Sequence, residues 1–329
     1  MSRLKLLFGV ALSVALAVWL LRSVDFAELG TALARADWRW AALSVAAALV
    51  GLWTRARRWF WLFPPGSNPP GVMAGVLIGY MANNVLPLRA GEVVRVYIVT
   101  RRWRAAGRPH ALWLVVATLV IERVLDSLAV VLILAVLVLL IPVPAALQWA
   151  AAVLLAIDVV GIGVLVAATA APDRMRGVVA RLTGRWPGLE RLALHAFDTA
   201  LAGLDGIRAR THWLPLAAWT VVVWVAPALA AWTMLRAMHL DLPFVAGWTV
   251  IAFVGLGISV PSAPGYVGVF HAAAVLAVEA FGVPRAQALG YAILFHASQF
   301  VPITLAGWVT LVREGVSLGE AAHAPRPGE

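Results

Sequence analysis

The stretch Asn83-Asn84-Val85-Leu86-Pro87-Leu88-Arg89-Ala90-Gly91-Glu92-Val93-Val94-Arg95 limits this chain's folding options more than any other. It sets two amides, a proline and three charged side chains between apolar runs that otherwise read as membrane helix. Lipid tails offer no hydrogen bonds to an interrupted backbone, so such a segment is tolerated only if it is buried in protein or lines a wet cavity. A loop that dips into the bilayer is the expected outcome.

The rest of the chain supports a membrane setting. Hydrophobic residues make up 62% of the 329 positions and charged residues 13%, and the mean hydropathy is +0.89. These values belong to polytopic membrane proteins. The net charge of +10 raises nucleic acid as a partner, but the basic residues are nearly all arginine and cluster between apolar runs, as in cytoplasmic loops. Nucleic-acid binding is not expected. With no cysteine in the sequence, thiol chemistry, disulfides and cysteine zinc sites are excluded. No glycine-rich phosphate loop, His-Glu-x-x-His or nucleophile elbow occurs. Neither a cofactor, a metal nor enzymatic activity is therefore expected.

Arg3 and Lys5 before Leu6 to Leu21 resemble the start of a signal peptide, but no convincing cleavage site follows, so a retained first span is expected. A second span starts near Trp40 and ends at Arg55, Arg57 and Arg58 beside tryptophans, a pattern typical of a membrane interface. The interrupted segment then enters and leaves between arginine clusters, which makes it a re-entrant hairpin; a single span kinked at Pro87 is the alternative. The helix from about His110 to Ile141 is roughly 45 Å long at 1.5 Å per residue, so it must tilt or project. A span from about Ala145 to Ala170 follows, then a basic amphipathic segment over 173–211 suited to the inner membrane surface. Another span, a second interrupted segment at Pro261, Pro264, Gly265 and Gly268, and a last span complete the chain.

The predicted fold is all-α, with six full spans and two re-entrant helical hairpins. Its single membrane domain, 1–314, has halves at about 1–141 and 145–314, and a short flexible tail follows over 315–329. A shift of 174 positions lays Pro87 and Gly91 on Pro261 and Gly265, and Glu122 on His296. Three full spans separate the hairpins, so the second enters from the opposite face. Paired interruptions in two inverted halves point to a transport site near the midplane. Both termini are expected in the cytoplasm.

Charged residues at membrane depth carry a functional presumption. Arg89 and Arg95 either form a self-satisfied ion pair with Glu92 or clamp an anionic headgroup, with Asn84 alongside. Glu122 and Asp126 share a helical face beside Arg123. Each such charge costs about 2.5 to 3.5 kcal/mol at a helix centre, so these three need partners or water. The acids either pair with Arg89 or Arg95, or act as proton- or cation-linked gates. Asp158, alone in its span, reads as a hydrogen-bonded structural acid. The breaks at Pro87 and Gly91 and at Pro261 to Gly268 are either tight turns or gates, and Asn83 and Asn84 have a capping role as their alternative.

Pro87-x-Arg89-x-Gly91-Glu92-x-x-Arg95, Glu122-Arg123-x-x-Asp126, Pro261-x-x-Pro264-Gly265-x-x-Gly268 and the Pro302 to Gly307 stretch occur in this order. Together they resemble the membrane domain of bacterial lysylphosphatidylglycerol synthases and its stand-alone, flippase-like relatives. The resemblance spans nearly the whole chain. It implies a bacterial inner-membrane protein that moves a lipid, or one that serves a lipid- or glycan-modifying enzyme. The soluble aminoacyl-transfer domain of the full synthases is expected to be absent. Where the resemblance implies a glutamate and an arginine on the outer side, this chain has His271 and His296, which makes a pH-responsive outer gate an expectation. Substrate contact is assigned to Arg89, Arg95, Arg123 and Asn84, and charge balance to Glu92, Glu122 and Asp126. A transferase using a lipid-linked donor is the alternative.

Overall fold

A computed structural model describes residues 18, 26–86, 90–108, 112–140, 145–203, 210–259, 263–317 and 319. All of the expected first span but Val18, together with Pro87, Arg89, Pro261 and most of the expected tail, lies outside the described residues. No strand occurs among those described. In chain order the helices are α1 (Phe26–Ala34), α2 (Trp38–Trp61), α3 (Val72–Val85), α4 (Gly91–Ala105), α5 (Leu112–Leu140), α6 (Ala145–Ala170), α7 (Pro172–Thr183), α8 (Pro187–Gly203), α9 (Arg210–Ala237), α10 (Phe244–Gly257), α11 (Val269–Glu279) and α12 (Arg285–Glu314). A short 3-10 turn, Pro264–Tyr266, precedes α11.

Four helices, Leu112–Leu140, Ala151–Ala170, Thr211–Ala237 and Arg285–Glu314, are long and apolar enough to cross a bilayer. The apolar helices Val72–Val85 and Phe244–Gly257 are shorter. Each is followed by a partner that folds back on it, so α3 lies against α4 and α10 against α11. The linker expected after the first span contains α1, which packs on α12. The described part of the amphipathic segment forms two helices. No residue of α7 is buried, while α8 lies under α5.

Small residues explain the close packing, because association within lipid depends on van der Waals fit more than on hydrophobicity. The α2–α9 contact places Gly51 against Ala226, and Ser44 Oγ donates to the Ala230 carbonyl at 2.8 Å. At the α3–α4 crossing a Cβ on Gly91 would lie 2.1 Å from the Gly79 carbonyl oxygen. Any side chain there would force the pair apart.

Packing also joins helices distant in sequence. Helix α3 seats on α12, and α10 seats on α5.

Candidate functional site

The buried charges converge where α2, α4 and α5 meet. The Arg95 guanidinium forks onto Glu122, donating from Nη2 to Oε2 at 2.7 Å and from Nη1 to Oε1 at 3.3 Å. Its other face covers the Trp59 ring at 4.1 Å, and Trp59 Nε1 in turn donates to Thr118 Oγ1 at 3.0 Å. Glu122 is fully buried. Arg95 is therefore not paired with Glu92, and Arg89 lies outside the described residues. Arg95 turns to Glu122, and Glu92 approaches Arg123 at 3.9 Å.

Arg58 also belongs to this cluster. It is fully buried, lies 2.6 Å from Asp126 Oδ1 and 3.6 Å from Glu122 Oε1, and its Nε and Nη1 have no hydrogen-bond partner among the described residues. Arg55 stands 3.6 Å from Asp126 with its guanidinium over Tyr80 and Trp224. The tryptophan-rich context marks both arginines as an interface belt in the sequence, and the fold instead draws them into the charge cluster. Helical spacing carries the missing signal. The buried stripe Ala47, Gly51 and Thr54 continues to Arg58, whereas Arg57 falls on the exposed side.

Among the described residues the cluster thus holds four guanidinium groups, Arg55, Arg58, Arg95 and Arg123, against three carboxylates, Glu92, Glu122 and Asp126. The excess is one positive charge. Arg95 and Arg58 are enclosed. Arg123 is 39% exposed and its contacts to Glu122, Asp126 and Glu92 are 3.7 to 3.9 Å long. The surplus charge is therefore carried on the loosely held Arg55 and Arg123.

Both of these arginines line a cavity of about 370 Å³. Its polar side comes from Tyr80, Asn83, Asn84, Glu92 and Asp126, and its apolar wall from Leu154, Ile251, Val254, Leu256 and Ile258. Ser127 lines it too and donates to Asp158 Oδ2 at 2.9 Å, which matches the structural reading of Asp158. Asn83 Oδ1 accepts from the Gly91 amide at 2.8 Å and so satisfies a free N–H at the start of α4.

The two interruptions meet. A Cβ on Gly265 would lie 3.4 Å from the Asn84 carbonyl oxygen and 2.9 Å from the Phe300 ring. Gly265 and Gly268 have φ of 72° and 88°, a region that glycine enters without a steric cost. One face of α12 holds both tips. His296 Nε2 bonds the Gly265 carbonyl at 2.9 Å, Phe300 lies between, and Thr304 Oγ1 accepts from Asn84 Nδ2 at 2.8 Å. His271 and His296 do come together, with ring centroids 4.8 Å apart and nearly perpendicular, but they stand behind the tip rather than on the cavity wall. Pro264 opens the 3-10 turn. No group of three or more metal-ligating side chains occurs among the described residues.

Helices of bilayer length, two interrupted pairs and a walled-in charge cluster define a multi-pass, membrane-embedded protein. The family model described as the lysylphosphatidylglycerol synthase TM region matches residues 6–307, and the chain belongs to that family. No curated protein and no solved structure matches it.

Proposed function

We propose that this protein is a lipid translocase of the bacterial inner membrane that moves an anionic or aminoacylated phospholipid between leaflets, and that it is not an enzyme. The observation that carries this reading is the cavity of about 370 Å³, bounded by both interruptions, with surplus guanidinium charge on one side and apolar helix on the other. Such a lining suits an amphipathic molecule with a phosphate, because a guanidinium fork matches phosphate geometry. Arg123 and Arg55 contact the headgroup. Arg95 and Arg58, engaged by Glu122 and Asp126, hold the floor of the site. Asn83 caps α4, and Asn84 ties the first tip to α12.

In this reading α3–α4 and α10–α11 are re-entrant hairpins entering from opposite faces, within six spans and two inverted halves, and their tips act as inner and outer gates. The arginine-rich ends of α4, α7 and α8 face the cytoplasm under the positive-inside rule, as do both termini. A lipid- or glycan-modifying enzyme supplies or consumes the transported lipid.

The test is transfer of a fluorescent phosphatidylglycerol between leaflets of vesicles containing the purified protein. Arg123→Gln and Arg55→Gln should slow transfer while leaving thermal stability close to wild type. Transfer at the wild-type rate in the double variant, or equal to protein-free vesicles for the wild type, removes the proposal. Covalent change of the lipid would point instead to a transferase.

A further inference from the structure

A second space lies along the seam between α5 and α10. It has a volume of about 370 Å³ and is lined by apolar side chains, among them Leu132, Ile133, Val136 and Leu140 from α5 and Val245 and Trp248 from α10. No charged residue borders it. Leu132, Val136 and Leu140 are exposed at 66%, 56% and 61%, so the groove opens to the side, toward lipid.

Its position relative to the charged cavity gives it meaning. Val130 of α5 and Ile251 and Val254 of α10 line the charged cavity. Ile133 and Trp248 line the groove. On each helix the step from cavity to groove is three residues, roughly 4.5 Å along the axis. The helices run in opposite senses along this seam: ascending numbers on α5 meet descending numbers on α10. They cross closely at Gly255, where a Cβ would sit 3.8 Å from Val130 Cγ2. The two spaces therefore share both walls and succeed one another with no intervening helix. The first is polar on one side and carries surplus positive charge, and the second is almost entirely apolar.

We infer that the groove between α5 and α10 is the acyl-chain subsite for a phospholipid whose headgroup lies in the charged cavity, and that lipid enters sideways through this seam. This rests on the translocase reading for its headgroup site and adds the path of the tail. An unbranched hydrocarbon chain fits a lining that is almost entirely apolar, because a polar occupant would lose most of its hydrogen bonds there. Helix α10 belongs to an interrupted pair, so displacement of that pair would alter cavity and groove together.

The experiment uses the full chain in vesicles doped with a phosphatidylglycerol that carries a diazirine near the end of one acyl chain. After irradiation, label is mapped by peptide. The expected result is several-fold enrichment on the 132–140 and 245–248 segments over other lipid-facing positions such as Leu214, with competition by excess unlabelled phosphatidylglycerol. Val136→Trp, which fills the groove, should remove the enrichment and slow transfer several-fold. Leu139→Trp, on the same helix but not bordering the groove, should do neither. Even labelling of all lipid-facing helices, or unchanged enrichment in Val136→Trp, overturns the subsite. Enrichment without any transfer by the wild type would retain the subsite and discard the translocase, so the two failures are distinguishable.

Discussion

Glu122 shows what a single carboxylate does in this molecule. It is the counter-ion of Arg95 at 2.7 Å and a neighbour of Arg58 and Arg123, so its removal leaves enclosed guanidinium groups without compensation. Breaking a buried pair in this way costs about 3 to 5 kcal/mol. Glu122→Gln should therefore lower the thermal unfolding midpoint in detergent markedly. Arg95→Gln combined with Glu122→Gln should be less damaging than the sum of the two single changes, because the partners act as a unit. An additive double variant would show that the pair is not coupled. Arg123→Gln, whose target is half exposed and held only by long contacts, should leave the midpoint nearly unchanged. The sequence marks Glu122, Asp126 and Arg123 as costly and in need of partners, but it does not show which arginine answers which acid. Arg58 and Arg55 arrive from α2, more than 60 positions away; the buried stripe of α2 marks Arg58 as inward-facing, but not which acid it meets.

At the level of elements, α12 is the strut of the site. His296, Phe300 and Thr304 recur at one helical face and hold the tips of both interrupted pairs, while Gly307 lets α3 approach closely enough for a Cβ there to fall 2.2 Å from Met81 Cβ. Gly307→Ala must therefore push α3 off α12, and it should reduce both stability and lipid transfer. Thr304→Val keeps the shape and removes the bond to Asn84. It should leave folding intact and change the transfer rate, as read in the vesicle assay; an unaltered rate would show that the Asn84 tether plays no part in gating. Below the site, Arg102 grips the Glu314 carboxylate at 2.6 and 2.9 Å and Arg101 donates to its carbonyl at 3.2 Å. The end of α12 is thereby fastened to the end of α4. Glu314→Gln should loosen this end of the molecule, detectable as faster amide exchange in the last turn of α12.

For the whole molecule, the proposed arrangement places Arg185, before α8, and Asp241, after α9, on opposite sides of the membrane, since α9 is long and apolar enough to cross it. The chain has no cysteine, so single cysteines report without background. Asp241→Cys should react with a membrane-impermeant thiol reagent added to intact spheroplasts, and Arg185→Cys should react only after lysis; the reverse pattern would invert the topology. Composition and apolar run length determined by themselves that this chain is helical and membrane-embedded, because a bilayer admits only closed backbone hydrogen bonding. The Asn83 to Arg95 stretch and the Pro261 to Gly268 stretch likewise announced interrupted helices, since proline, glycine and charge cannot sit in hydrocarbon as ordinary helix. Tertiary structure alone decided that Arg95 pairs with Glu122 instead of Glu92, that Arg58 meets Asp126, and that both tips meet on α12. Those outcomes depend on which small residues let helices distant in sequence come within contact, and side-chain periodicity on one helix carries no information about its neighbour.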